Sequence, residues 1–325
     1  MYSGFVRIRS RLSEENRMPP LPPWIEPQLV SSSPRVPDGA GWIHELKYDG
    51  YRLHLRLEGG RVRLLTRRGH DWAERMPTLA RKAESLPADA AYLDGELVVL
   101  DEDGHPDFDA LHAWIRSSRR RVPGLLAYQA FDLLHRDGED LRVVPLVERK
   151  AELAALLAGV RGPRIIRYVD HLEGSGTLFF DCVRAAGLEG VVSKRAESRY
   201  RPGMRAADWV KTKCFERYDL VAVGFTGALS SVLLAREDDD GVLHYVGRVK
   251  GWVTRKSEAG LVAALSERET DAWPLAGRPP SVKGARWVRP ELTVTVTALP
   301  RDDHEPLRHA TLRGWRPRNV LRLVR

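Results

Sequence analysis

Apolar residues recur along the chain at two spacings, and the changes from one to the other mark its elements. Leu53, Leu55 and Leu57 alternate with His54 and Arg56, the period of a half-buried strand. Trp42 and Ile43 precede this run, and Gly59-Gly60 is a hairpin signal, so residues 41–66 read as a β meander. Trp72, Met76, Leu79, Ala80, Ala83 and Leu86 then keep helical spacing. Residues 92–100 return to strand and are turned by Asp101-Glu102-Asp103-Gly104. A short helix over 108–115, a basic loop over 116–121 and an apolar strand over 125–134 follow. The spacing of Leu153, Leu156 and Leu157 makes 147–157 a helix. Beyond it come a strand at 164–169, a helix at 176–186 and strands at 190–193 and 209–213.

Strands and helices mixed without regular alternation argue for an α+β fold rather than a doubly wound sheet. After Cys214 the character changes. Residues 220–223, 232–235, 243–249 and 292–296 read as short strands, with one helix around 261–265. Some five strands and one helix in about 110 residues suit a small β-barrel. Three segments are expected: an N-terminal arm over 1–24, a larger domain over 25–214 and the barrel over 215–325. The arm carries Arg7, Arg9 and Arg11 ahead of Met18-Pro19-Pro20-Leu21-Pro22-Pro23. Its prolines deny a helix and favour an extended path. It reads as a solvated tail, with contact to nucleic acid as the alternative.

Composition narrows the class. With 325 residues, 43% hydrophobic and 30% charged, the chain is globular and long enough for two cores. No apolar run reaches the length of a membrane span, and no signal-peptide core opens the chain. Cys182 and Cys214 make neither a disulfide framework nor a zinc site, which points to a reducing cytoplasm. A net charge of +8 and a pI near 9.6 suit a polyanionic partner.

The chemistry gathers at His44-Glu45-Leu46-Lys47-Tyr48-Asp49-Gly50-Tyr51-Arg52. It places a lysine in a short turn between strands, with Asp49-Gly50 as turn residues because glycine tolerates positive φ. Lys-x-Asp-Gly-x-Arg arises by chance in roughly one chain in several hundred. Five further segments follow in order: Thr66-Arg67-Arg68-Gly69, Leu93-Asp94-Gly95-Glu96, Ala130-Phe131-Asp132, Leu188-Glu189-Gly190-Val191-Val192-Ser193-Lys194 and Trp209-Val210-Lys211-Thr212-Lys213. Together they resemble the motifs of covalent nucleotidyltransferases: ATP-dependent DNA ligases, RNA ligases and mRNA capping enzymes. The wording is most similar to the ligase module of bacterial end-joining DNA ligases, over about residues 18 to 300.

The resemblance implies an adenylation domain of antiparallel sheets with flanking helices, followed by an OB-fold. It implies an ATP-dependent DNA ligase that seals 5′-phosphate/3′-hydroxyl nicks through a lysyl-AMP intermediate, in DNA repair, recombination or non-homologous end joining. Lys47 would be the nucleophile, with Lys211 and Lys213 beside it. Its amine must be neutral to attack, and neighbouring cations favour that form. Glu45, Arg52, Arg67, Glu96, Phe131, Lys194 and Arg316 would bind the nucleotide, arginine's fork suiting phosphate and ribose oxygens. An aromatic face at Phe131 could stack on adenine, although its position at the end of an apolar strand equally suits a core residue. Glu96 and Glu189 stand beside glycines in apolar runs, where a carboxylate needs a partner. The resemblance assigns both to Mg²⁺ or Mn²⁺, a structural ion pair being the alternative. Asp94 reads as a turn-shaping residue. Candidates for DNA phosphates are Arg116, Arg119, Arg120, Arg121, Arg199, Arg201, Arg205, Arg248 and Lys250.

The implied partners are nicked or broken duplex DNA, a Ku-like bridging protein and a separate polymerase. The protein is expected to work as a cytoplasmic, nucleoid-associated monomer without a membrane. One motif departs from the pattern. End-joining ligases finish with Arg-x-Asp-Lys, whereas this chain has Arg316-Pro317-Arg318-Asn319. With no acidic residue there, nothing in the sequence aligns Arg316 and Arg318, and reaction with ATP is expected to be slow. Two other readings stand beside ligation: RNA ligation or GTP-using capping, and an inactive adenylation fold kept as a DNA clamp.

Overall fold

The computed structural model describes residues 21–117, 122, 124–160, 165–227, 231–250, 255–299, 306–307 and 310–318. Arg7, Arg9, Arg11, Arg119, Arg120 and Arg121 lie outside them. Up to Lys213 the chain forms β1 (Leu29–Ser32), β2 (Trp42–Leu46), β3 (Tyr51–Glu58), β4 (Arg61–Thr66), α1 (Pro77–Ala83), β5 (Ala90–Leu100), α2 (Phe108–Arg116), β6 (Leu125–Arg136) and β7 (Glu139–Asp140). It continues through α3 (Leu146–Ala158), β8 (Ile166–Tyr168), β9 (His171–Glu173), α4 (Gly176–Ala185), β10 (Gly190–Arg195) and β11 (Arg205–Lys213). From Glu216 it forms β12 (Glu216–Thr226), β13 (Ser231–Glu237), β14 (Leu243–Val249), α5 (Arg255–Ser266), β15 (Glu269–Thr270), β16 (Ala285–Val288), β17 (Leu292–Ala298) and β18 (Thr311–Pro317). The fold is α+β. Two units divide it: the chain up to Val183 with Gly190–Thr212, and Arg184–Glu189 with the chain from Lys213 on.

The first unit holds two sheets. One runs β1-β11-β10-β2-β9, and the other runs β4-β3-β5-β6-β7 with β8 beside β6. The expected meander is therefore two separate things. β3 and β4 do form a hairpin closed by Gly59 and Gly60, both at positive φ. β2, however, pairs with β10 and β9 in the other sheet. Residues 47–50 are a crossover between sheets rather than a hairpin turn. Gly50 is needed there for closeness, not for positive φ: a Cβ would stand 2.1 Å from the Leu97 carbonyl oxygen.

Leu53, Leu55 and Leu57 turn to a core shared with Leu79 of α1 and Leu153 and Leu156 of α3. Burying each such side chain favours folding by about 1.5–3 kcal/mol. His54, on the opposite face, is buried too, against Tyr92. That face looks toward the other sheet, and Ile43, Leu65, Tyr92, Leu134 and Trp209 fill part of the space. The helix expected from Trp72 is broken: a 3₁₀ turn at Ala73–Arg75 precedes α1, which begins at Pro77. Proline lacks the N–H that a helix interior uses, so it takes the first position. Part of the expected arm packs on the first unit. Leu21 is buried, and its carbonyl accepts from Arg56.

The second unit is an OB-fold built on β12, which pairs with β13 on one side and with β17 and β16 in succession on the other. β18 extends this sheet from β17. Leu220, Val232, Leu234, Val294 and Val296 pack with Leu261 and Leu265 of α5. β15, β16 and β18 were not evident as strands, because little apolar alternation marks them.

Candidate active site

Alternation along a strand puts every second side chain on one face, and here it sets the inner wall of the first sheet. Glu45 and Lys47 face inward from β2 and the crossover, Val192 and Lys194 from β10, Trp209 and Lys211 from β11, and Leu29 and Val30 of β1 border the same space. The second sheet contributes Arg52 from β3, Arg67 from the turn after β4, Glu96 from β5 and Phe131 from β6. Between these walls lies a cavity of about 260 Å³. The structure thus gathers Lys47, Lys211, Glu45, Arg52, Arg67, Glu96, Phe131 and Lys194 around one space. The main-chain N–H of Lys47 donates to Gly190 O at 2.9 Å, which fastens the crossover to β10.

Several side chains are held differently from the sequence reading. Arg52 is clamped from behind by Asp94, Nε to Oδ1 at 2.9 Å and Nη2 to Oδ2 at 2.6 Å. Nη1 donates to Gln28 O at 2.6 Å, so most of the fork is committed to protein. Asp94 is fully buried and also accepts from Tyr200 Oη at 2.8 Å. It is an anchor for Arg52 and not a turn former. Burial alone would raise its pKa, but Arg52 and His54 outweigh burial and hold the carboxyl far below its ordinary range. Phe131 lines the cavity as a ring flanked by cations. Lys194 Nζ lies 4.3 Å and the Arg52 guanidinium 5.5 Å from its centroid. Behind Phe131, Asp132 receives a bidentate Arg149, both at 2.8 Å, which ties α3 to β6.

Glu45 is buried between two lysines. Lys150 Nζ donates to Oε1 at 2.5 Å, and Lys194 Nζ stands 2.6 Å from Oε2. Burial would raise the Glu45 pKa; the two ammonium groups more than cancel this and lower it. The Lys194 pKa is lowered, first by burial, with Lys150 acting in the same sense and Glu45 opposing. Sequence reasoning missed Lys150 entirely. Its signal was present: Leu146, Arg149, Lys150 and Leu153 share one helical stripe, and two charges on an apolar face need buried partners.

Three expected residues belong to the other unit. Glu189 and Lys213 pair with each other at 2.9 Å. Arg316, on β18, is 2.9 Å from Asp219, whose other oxygen accepts from Thr295 Oγ1 at 2.5 Å. Arg318 donates to Glu237 at 2.5 Å and to Pro290 O. Arg316 and Arg318, expected to lack an acidic aligner, have one each, supplied from β12 and β13. Among the surface candidates, Arg205 donates to Val30 O and Arg201 pairs with Asp208. Arg116, Arg199, Arg248 and Lys250 are exposed. No helix among the described residues is long and apolar enough to cross a membrane.

Comparison with known proteins identifies the family. Residues 28–213 match the family model for the ATP dependent DNA ligase domain, and 225–319 match the ATP dependent DNA ligase C terminal region. The multifunctional non-homologous end joining protein LigD of Pseudomonas aeruginosa is 40% identical over 314 residues, covering 91% of this chain and 36% of that protein. LigD of Mycobacterium tuberculosis H37Rv is 35% identical over 284 residues, 85% of this chain and 36% of the relative. The chain thus spans about a third of the length of these curated relatives. Among solved structures, mycobacterial DNA ligase D complexed with ATP and MES superposes with a TM-score of 0.56 at 33% identity, covering 90% of this chain and 95% of that one. On both of its matched regions, the protein belongs to the ATP-dependent DNA ligases.

Proposed function

We propose that this chain seals nicks in duplex DNA during end joining, with the cavity between the two sheets as its adenylation site. What supports this most is the placement of Lys47 on the crossover, at the edge of a cavity lined by Arg52, Arg67, Lys194 and Lys211. Lys47 Nζ attacks the α-phosphorus of ATP; a P–N bond forms, the α–β anhydride bond breaks and pyrophosphate leaves. The 5′-phosphate of the nick then attacks that phosphorus, takes AMP and releases the amine. The 3′-hydroxyl finally attacks the 5′-phosphorus, forms the phosphodiester and expels AMP.

Lys211 and Arg67 serve the phosphates, where oriented positive charge is worth most. Val192, Trp209 and Phe131 supply the apolar lining for the purine. Glu45, ionised and facing the cavity, accepts from the 6-amino group of adenine. Arg52, largely committed to Asp94, shapes the wall and contributes charge rather than a free fork. Glu96 is a cavity carboxylate among cations, and one or two carboxylates with substrate phosphates suit Mg²⁺ or Mn²⁺. Such an ion, when bound, neutralises phosphate charge. Glu189, to which the resemblance also assigns a metal role, is paired with Lys213 in the second unit. Basic side chains including Arg116, Arg199, Arg248 and Lys250 take the DNA phosphates. The Ku-like bridging partner, the separate polymerase and the place at the nucleoid belong to this reading, as does work as a monomer.

Incubation with α-labelled ATP should leave acid-labile label on the protein, and Lys47→Ala should reduce it at least about a thousandfold. A folded Lys47→Ala chain that labels like wild type would overturn the assignment. A preference for GTP would move the chain to capping chemistry.

A further inference from the structure

Lys150 stands one layer behind the cavity. It is fully buried and does not line the space, yet both groups it binds do. Nζ donates to Glu45 Oε1 at 2.5 Å and to Val169 O at 2.9 Å, and it lies 4.7 Å from the Tyr168 ring centroid. Glu45 is on β2 of the first sheet, and Val169 directly follows β8 of the second. A single ammonium therefore grips the wall of each sheet at once.

We propose that Lys150 is the positioning residue that sets purine selection at this site. The inference rests on Glu45 reading the base. A carboxylate has about four lone-pair positions on its two oxygens. Lys150 takes Oε1 from the protein side and fixes the rotation of the group. Oε2 meets Lys194 at 2.6 Å, and with about two lone-pair positions on each oxygen one acceptor position remains toward the cavity. An oriented, charged acceptor welcomes the 6-amino group of adenine and repels the 6-oxo group of guanine. Sites built around one such hydrogen bond reject the wrong analogue strongly. Without Lys150, Glu45 would be a buried carboxylate held by Lys194 alone. It would turn toward Lys194 or give up its charge, and the reading would blur.

The test uses the full chain and the rate of Lys47 labelling from α-labelled ATP and GTP across concentration, with a melting curve for each variant. Lys150→Met should raise the ATP concentration for half-maximal labelling about tenfold or more. Labelling at saturation should stay within about threefold, and the ATP-to-GTP ratio should fall at least tenfold. Lys150→Arg should keep most of the discrimination. Glu45→Gln should lose discrimination as Lys150→Met does, and the double variant should be within twofold of Glu45→Gln alone, because coupled residues are non-additive. A folded Lys150→Met chain with the wild-type ratio would overturn the role of Lys150, as would losses that multiply in the double variant. If Lys150→Met does not fold, Glu45→Gln against the double variant, which removes the stranded charge, still decides it. Absence of label on the wild-type chain would instead fell the ligase reading itself.

Discussion

Arg52 and Arg316 each meet one aspartate, at 2.6 and 2.9 Å, the first through two parallel contacts and the second through one. The settings differ. Arg52 is 18% exposed and Asp94 not at all, whereas Arg316 and Asp219 are 58% and 48% exposed. In the first unit, charge is fixed by partners that water does not reach. In the second, the same pairing is screened by solvent and can exchange at little cost. The difference suits their proposed tasks. A cavity that orients a nucleotide gains from dipoles already in place. Arg316 and Arg318, which we propose serve the reaction with ATP alone, gain from being releasable.

The sharpest way to break this contrast is Asp94→Ala. It strands Arg52, and removing one partner of a buried pair costs about 3–5 kcal/mol, to be read from denaturant unfolding. The pH dependence gives an independent check. The native pKa of Asp94 is depressed, so its stabilisation is complete above the unfolded value near 3.9 and is lost as pH falls below it. Acidification through that range should cost wild type stability that Asp94→Asn no longer has to lose.

A smaller effect is expected from Arg316→Ala with Arg318→Ala. The first step should slow about a hundredfold, each of the two hydrogen-bonded charges being worth roughly tenfold. Sealing of a nick that already carries AMP should change less than twofold. Single-turnover rates on ATP plus nicked DNA, against pre-adenylated DNA, separate the two. Equal losses would assign these arginines to DNA. Smallest of all is Asp219→Asn, which should leave the melting midpoint where it was. Its trace should be a change in how the first step depends on salt, and a clear loss of stability would show that the exposed pair is structural after all.

Much of this was legible in the sequence because it lies in local spacing. The strand alternation at 53–57, the Gly59-Gly60 hairpin and the charged residues of the motifs need only nearest neighbours to be read. Pairing between distant segments was not legible. Nothing near Trp42 says that β2 belongs with β10, about 150 positions on, so the crossover looked like a hairpin. Asp94 looked like a turn residue because its partners, Arg52 and Tyr200, are 42 and 106 positions away. The aligners of Arg316 and Arg318 escaped for the same reason, standing 97 and 81 positions upstream.

The crossover at residues 47–50 also bears on how the protein matures. Lys47 lies on the link between two sheets, one of which depends on pairings between β2 and β10 that close a long loop. Closing such loops is entropically costly, so sheets of this kind assemble slowly. The hairpin of β3 and β4 can form from local contacts alone, but it carries no working nucleophile. Only when the long-range sheet has docked do Lys47 and the cations of β10 and β11 come together. A nascent or partly folded chain should accordingly be unable to take AMP, and the covalent label becomes a clock for the last stage of folding.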